Sequence, residues 1–225
     1  MKRITTMKTI ILLLCICGSA SFYPVALQAQ SDIDVKNRYL LDQFIDAVAV
    51  GKGGGVRASF NYDCVKQEMQ FVEDDEILKL DPISSVDTMY LGKHKMVRYA
   101  NRFVELAYAS PQYNLFIDYK RRIINEGKKG AMGTKTQGGV ENIDIRRSAV
   151  GLQGTKMADI NVYNCKDESR YMFEQNKKMK QFNNLDSFLK IFPEKKEQIK
   201  AYVKDHNISF KKTPDVISLI EFSLK

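Results

Sequence analysis

Apolar residues in the first half of this chain fall in short runs that alternate with polar ones, and runs of that length predict strands. Two such runs, 44–50 and 56–62, are separated by Gly51-Lys52-Gly53-Gly54-Gly55. The glycines predict a hairpin turn that uses positive φ. They do not make a phosphate loop, because no Gly-Lys-Ser/Thr follows and no helical period starts there. Runs at 68–72 and 77–80 flank the acidic turn Glu73-Asp74-Asp75-Glu76. That turn lacks the spaced ligands and the glycine of a calcium loop, so it is read as a solvated hairpin tip. Further strands are predicted at 88–91, 95–98, 103–109 and 114–119. A hairpin is predicted from 159–163 and 170–173 around the turn at 166–169, with a third short strand at 180–182.

The period changes after residue 183. Asn184 can cap a helix whose apolar side is Leu185, Phe188, Leu189 and Phe192. Pro193 can open a second helix, with Ile199, Tyr202 and Val203 on one side. Thr213-Pro214-Asp215 predicts a third start, with Thr213 as the capping hydroxyl and Asp215 at the positive end of the dipole. The fold class expected is therefore α+β: an antiparallel β-rich body of short strands and hairpins, followed by about three C-terminal helices.

Two segments stand outside this pattern. Residues 1–29 begin with Lys2, Arg3 and Lys8, continue in the apolar run 10–17, and end in Leu27-Gln28-Ala29, the three-part form of a secretory signal. Gly18 to Ser21 and Pro24 interrupt the run, which is short for a membrane span, so cleavage after Ala29 is expected and no transmembrane span after it. Leu14 before Cys15 and Ile16 before Cys17 argue against a lipoprotein signal. The second segment, 125–157, holds seven of the thirteen glycines and shows no sustained period, as a mobile loop or lid would. The organisation expected is thus signal 1–29, β-rich region 30–124, Gly-rich loop 125–157, and a hairpin with the helical tail over 158–225.

Charge adds one asymmetry. The signal carries three of the eight net positive charges; residues 30–176 are balanced, and 177–225 hold eleven basic and six acidic side chains. Lys195, Lys196, Lys200 and Lys204 form a possible basic interaction face for an envelope protein, glycan or anionic lipid surface, or else a plain solvated helix face. Export makes nucleic acid an unsuitable partner. It also places Cys64 and Cys165 where a disulfide is permitted, closing a loop of about 100 residues. Neither cysteine lies in a Cys-x-x-Cys pair, so no metal is expected.

Catalytic chemistry is thin. His94 and His206 are read as surface residues, and they give no metal cluster of the usual spacing. Ser59, Ser148 and Ser187 lack a nucleophile-elbow context. No cofactor motif is present. A pair of carboxylates about 5–10 Å apart could still hydrolyse glycans, with the Gly-rich segment as lid. The function expected is a non-enzymatic cell-envelope binding or structural module, the hydrolase being the alternative.

Phe60-Asn61-Tyr62, then Gln67 to Phe71, and in the tail Phe188 to Lys196, Ile208 to Lys212 and Asp215 to Ile220, resemble an uncharacterised family of exported proteins from Bacteroidota. The resemblance implies export, with the periplasm as the expected location, and a shared fold without naming an activity. In that group Asp87-Thr88-Met89 resembles an O-glycosylation sequon.

Overall fold

A computed structural model of the chain describes residues 35–128 and 161–225, all within the unit Ile33–Lys225. The signal at 1–29 and the part of the Gly-rich segment beyond Lys128, Ser148 included, lie outside the described residues. Among the described residues, twelve strands and three helices make an antiparallel β body with a helical tail, the α+β class expected from the pattern.

The strands in chain order are β1 (Ile45–Gly51), β2 (Gly54–Asp63), β3 (Glu68–Glu73), β4 (Glu76–Lys79), β5 (Thr88–Leu91) and β6 (His94–Tyr99). They continue with β7 (Arg102–Ala109), β8 (Asn114–Asp118), β9 (Arg121–Lys128), β10 (Asn161–Asp167), β11 (Arg170–Gln175) and β12 (Lys178–Phe182). Ten of them form one sheet in the order β12-β11-β8-β7-β6-β5-β1-β2-β3-β4; β9 and β10 pair with each other. The predicted hairpin of 159–163 with 170–173 is therefore overturned: β11 pairs with β8 and β12, and β10 with β9. The physical reason is the turn between them. The Asp167 carboxylate accepts from the Ser169 N–H, and the Glu168 N–H donates to the Lys120 carbonyl, so the chain leaves the β10 ladder before β11 begins. β9 also runs through Lys128, into the stretch read as Gly-rich loop.

Turn chemistry sets the register. Lys52-Gly53 closes the β1–β2 hairpin, with Gly54 at φ +108°. Gly51 is demanded by packing, since a Cβ there would lie 1.8 Å from the Ser85 carbonyl oxygen. Asp74 and Asp75, both at positive φ, make the β3–β4 tip a two-residue turn. A bulge in β7 between Leu106 and Tyr108 puts Ala107 and Tyr108 against the helical core.

One row of directly opposed residues crosses seven strands of the sheet: Ala49, Met89, Met96, Glu105, Ile117, Tyr171 and Phe182. All its members are buried except Glu105, which is half-buried and the only carboxylate among them. Two cores share this face. The first gathers Ala47, Ala49, Phe60, Tyr62, Met89, Leu91, Met96 and Phe103, where β3 curls toward β7. In the second, the helices cover Leu115, Ile117, Tyr171, Phe173 and Phe182 with Phe188, Ile199, Val216, Leu219 and Ile220. Tyr119 packs against both.

The tail helices are α1 (Leu185–Leu189), α2 (Lys196–Asp205) and α3 (Thr213–Leu224). Asn184 caps α1 in a reciprocal capping box with Ser187, as its side chain suits it to do. Pro193 opens a single 3₁₀ turn ahead of α2 rather than α2 itself. Thr213 is not the cap of α3: Lys212 occupies that position without a side-chain bond, and Thr213 Oγ1 lies 3.4 Å from the Tyr171 hydroxyl.

The motif residues of the family resemblance have structural work. Asn61 accepts from the Leu41 N–H and donates to the Leu41 and Gln43 carbonyls, fastening the chain that leads into β1. Phe60 and Tyr62 are core, and Gln67 Nε2 bonds Asp118 and the Tyr119 carbonyl. In the second core Phe182 is stacked on Tyr171 at 5.4 Å and meets Phe188 edge-on at 5.0 Å. Phe182→Ala is expected to cost about 3–5 kcal/mol of folding stability, as for other buried aromatics. Urea unfolding measures it, and a loss below about 1 kcal/mol would contradict this account of the core.

Candidate functional site

Glu105 faces the core parity of β7, shared with Phe103, where an unpartnered carboxylate would be costly. Two neighbours satisfy it, one from the start of β6 and one just past the end of β8. His94 Nδ1 lies 2.9 Å from Glu105 Oε2, and the Tyr119 hydroxyl donates to the same oxygen at 2.5 Å. The His94 and Tyr119 rings meet edge-to-face at 6.3 Å. Burial pushes the Glu105 carboxyl up, but the bonds from His94 and Tyr119 and the nearby positive charge outweigh it and hold the group below its ordinary value. Burial, then the bond to Glu105, pushes the Tyr119 phenol above the usual tyrosine range, so it stays protonated as a donor. The side chain of His94 is only 12 % exposed, which corrects the reading of it as a surface residue. The missed signal was parity: Phe103 and Glu105 share a face, and an acid on a buried parity needs a donor. His206 is exposed at the end of α2, stacked on Tyr202 at 4.0 Å.

Beside this cluster lies a cleft of about 840 Å³. Ile117, Tyr119 and Tyr171 form one wall from β8 and β11. Ile208, Ser209, Phe210 and Lys211, from the turn before α3, form the other, with Thr213 of α3 and Asn183. Arg121 and the 167–170 turn close the end. Its volume is within the range of small-molecule sites, and its lining is about as polar as apolar.

The cleft's carboxylates are engaged. Glu168 accepts from Arg122 Nε at 2.7 Å, and Asp167 accepts from both the N–H and the hydroxyl of Ser169. The buried acids elsewhere are matched as well. Asp63, fully buried, pairs with Arg38 at 2.7 Å, and Asp118 takes Arg102 in a two-pronged contact at 2.8 and 3.0 Å. Among the described residues no group of three His, Cys, Asp or Glu side chains could hold a metal ion.

The residues singled out in the sequence are dispersed. Cys64 and Cys165 are free thiols in the structure, Cys64 buried at the end of β2 and Cys165 half-buried on β10 opposite Ile123. They sit close enough for Cys165 to help raise the Cys64 thiol, which burial chiefly pushes up to about 12. Burial also raises Cys165. Lys196, Lys200 and Lys204 are exposed on α2, with Lys200 paired to Glu197 at 2.9 Å. Lys195 turns away from that face and donates to the Ser223 carbonyl at the end of α3. Thr88 is half-buried at the start of β5, and Met89 is fully buried. No family model, curated protein or solved structure matches the chain.

The Glu105 cluster sets a pH dependence. Its folded pKa lies below the unfolded value of about 4.3. The group therefore adds stability above that pH, and the contribution is lost as pH falls through the lowered folded value. In urea unfolding the stability gap between the wild type and Glu105→Gln is expected to shrink from about pH 6 to pH 3. A gap constant over that range would refute the assignment.

Proposed function

We propose that this chain is an exported, non-enzymatic binding module of the cell envelope, a member of the Bacteroidota family it resembles, and that its ligand sits in the cleft between β8, β11 and the 208–211 turn. The observation that carries the reading is the state of the acids. The two carboxylates lining the cleft and the buried or half-buried Asp63, Glu105 and Asp118 are each committed to a bond within the fold, whereas rings and donors line the opening. Glycoside hydrolysis needs one carboxyl to donate a proton and a second to attack or activate water. Asp167 and Glu168, adjacent in one turn and tied to Ser169 and Arg122, are poorly placed for that division of labour. Tyr119, held protonated by burial and by its bond to Glu105, serves binding as a fixed ring and does not serve as a base. No helix among the described residues is long and apolar enough to cross a membrane, and export rests on the 1–29 signal.

Mass spectrometry of protein recovered from cells is expected to find the N-terminus at Gln30. The same protein is expected to be retained on isolated envelope material in low salt without releasing reducing ends from it. An intact Met1 would overturn export, and release of reducing ends would overturn the binding reading in favour of the hydrolase.

A further inference from the structure

Among the described residues the arginines divide by partner, apart from Arg57, which is exposed on β2. Arg38, Arg98, Arg102 and Arg122 each meet a carboxylate. The two that line the cleft do not. Arg121 Nη1 donates to the Asn37 and Tyr39 carbonyls, which fix the guanidinium in place without cancelling its charge. Arg170 reaches only the neutral amide of Gln181, at 3.4 Å. Lys211, exposed on the opposite wall, has no carboxylate partner among the described residues. The cleft also contains Glu168, whose charge Arg122 offsets from outside, and Asp167, which bonds Ser169. By count the lining carries three cations, Arg121, Arg170 and Lys211, against the two carboxylates Asp167 and Glu168. Two exposed cations, and a third held only by carbonyls, leave the cleft able to take an anion.

The remaining surface constrains the rest of the ligand. Tyr119, Tyr171 and Phe210 present ring and edge surface, while Ser209, Thr213 and Asn183 offer hydroxyl and amide groups. Aromatic faces alternating with short polar side chains suit a body with both C–H faces and hydroxyls, and the cations suit an acidic substituent on it. We propose that the cleft binds an acidic saccharide, a sugar ring bearing a carboxylate or a phosphate, with the anion held by Arg121, Arg170 and Lys211. This rests on the binding reading of the cleft and names its ligand class.

Isothermal titration of the purified protein with trigalacturonic acid, mannose 6-phosphate and neutral maltotriose tests it. An acidic probe is expected to bind at least about tenfold more tightly than maltotriose, and to weaken as salt is raised. The tighter of the two acidic probes distinguishes a carboxylate from a phosphate source. The double variant Arg170→Ala with Lys211→Ala alters two exposed side chains. It is expected to lose about tenfold or more in affinity for the acidic probe and nothing for maltotriose, with an unchanged circular dichroism spectrum. Equal affinity for maltotriose would overturn anion selectivity while leaving a binding cleft in place. Acidic-probe affinity unchanged in the double variant, or no binding of either acidic probe, would overturn the proposal. Cleavage of a trisaccharide during the titration would instead overturn the non-enzymatic reading, so the two failures are distinguishable.

Discussion

A carboxylate in the middle of an apolar row is the constraint around which the rest of this structure is arranged. Glu105 lies between Met96 and Ile117, in a row whose other members are buried. Desolvation of such a group is tolerable only when donors are supplied, and the protein supplies two, from β6 and from the residue that follows β8. His94 comes from the start of β6, and Tyr119, just past the end of β8, packs against both cores. The charge is thus held from both flanks of β7. Register follows from the same requirement. A one-residue slip of β7 against β6 or β8 would turn Glu105 to the opposite face and leave both donors without their acceptor.

The cleft borders this cluster. Tyr119 is both the donor to Glu105 and a wall of the opening, so that wall is held in place by the bond to Glu105. A surface built in this way is stiff on the sheet side, where cross-strand neighbours fix each ring. On the helix side it depends on the loop 206–212, whose Ser209 N–H is held by the Asp215 carboxylate in the first turn of α3. Asp215 therefore acts at the positive end of the dipole, as its position in the sequence suggested, and it also anchors one lip of the cleft.

How much of this was legible follows from what each signal reports. Alternation reports which face is buried, so the strands from β1 to β8 could be read within a residue or two. Pairing is not a local property. The partner of β11 is β8, some fifty residues earlier, and no pattern within 159–173 states that. Helix starts were legible where a side chain closes the cap, as Asn184 does. They were misread where proline opens a 3₁₀ turn, and where Thr213 gives its hydroxyl to Tyr171 instead of its own helix. The site itself was nearly invisible. Arg121, Arg170 and Lys211 are far apart in sequence and ordinary in context, and they become a group only through the path of β9 and the turn before α3. His94 was misplaced because its lysine neighbours suggest surface, whereas strand parity turns it inward beside Met96.

Arg121 has a further consequence. Its guanidinium grips the carbonyls of Asn37 and Tyr39, in the stretch that runs from the start of the described residues into β1. One end of the cleft is thereby tied to the lead into β1, so displacing residues 37–39 would release the guanidinium as well.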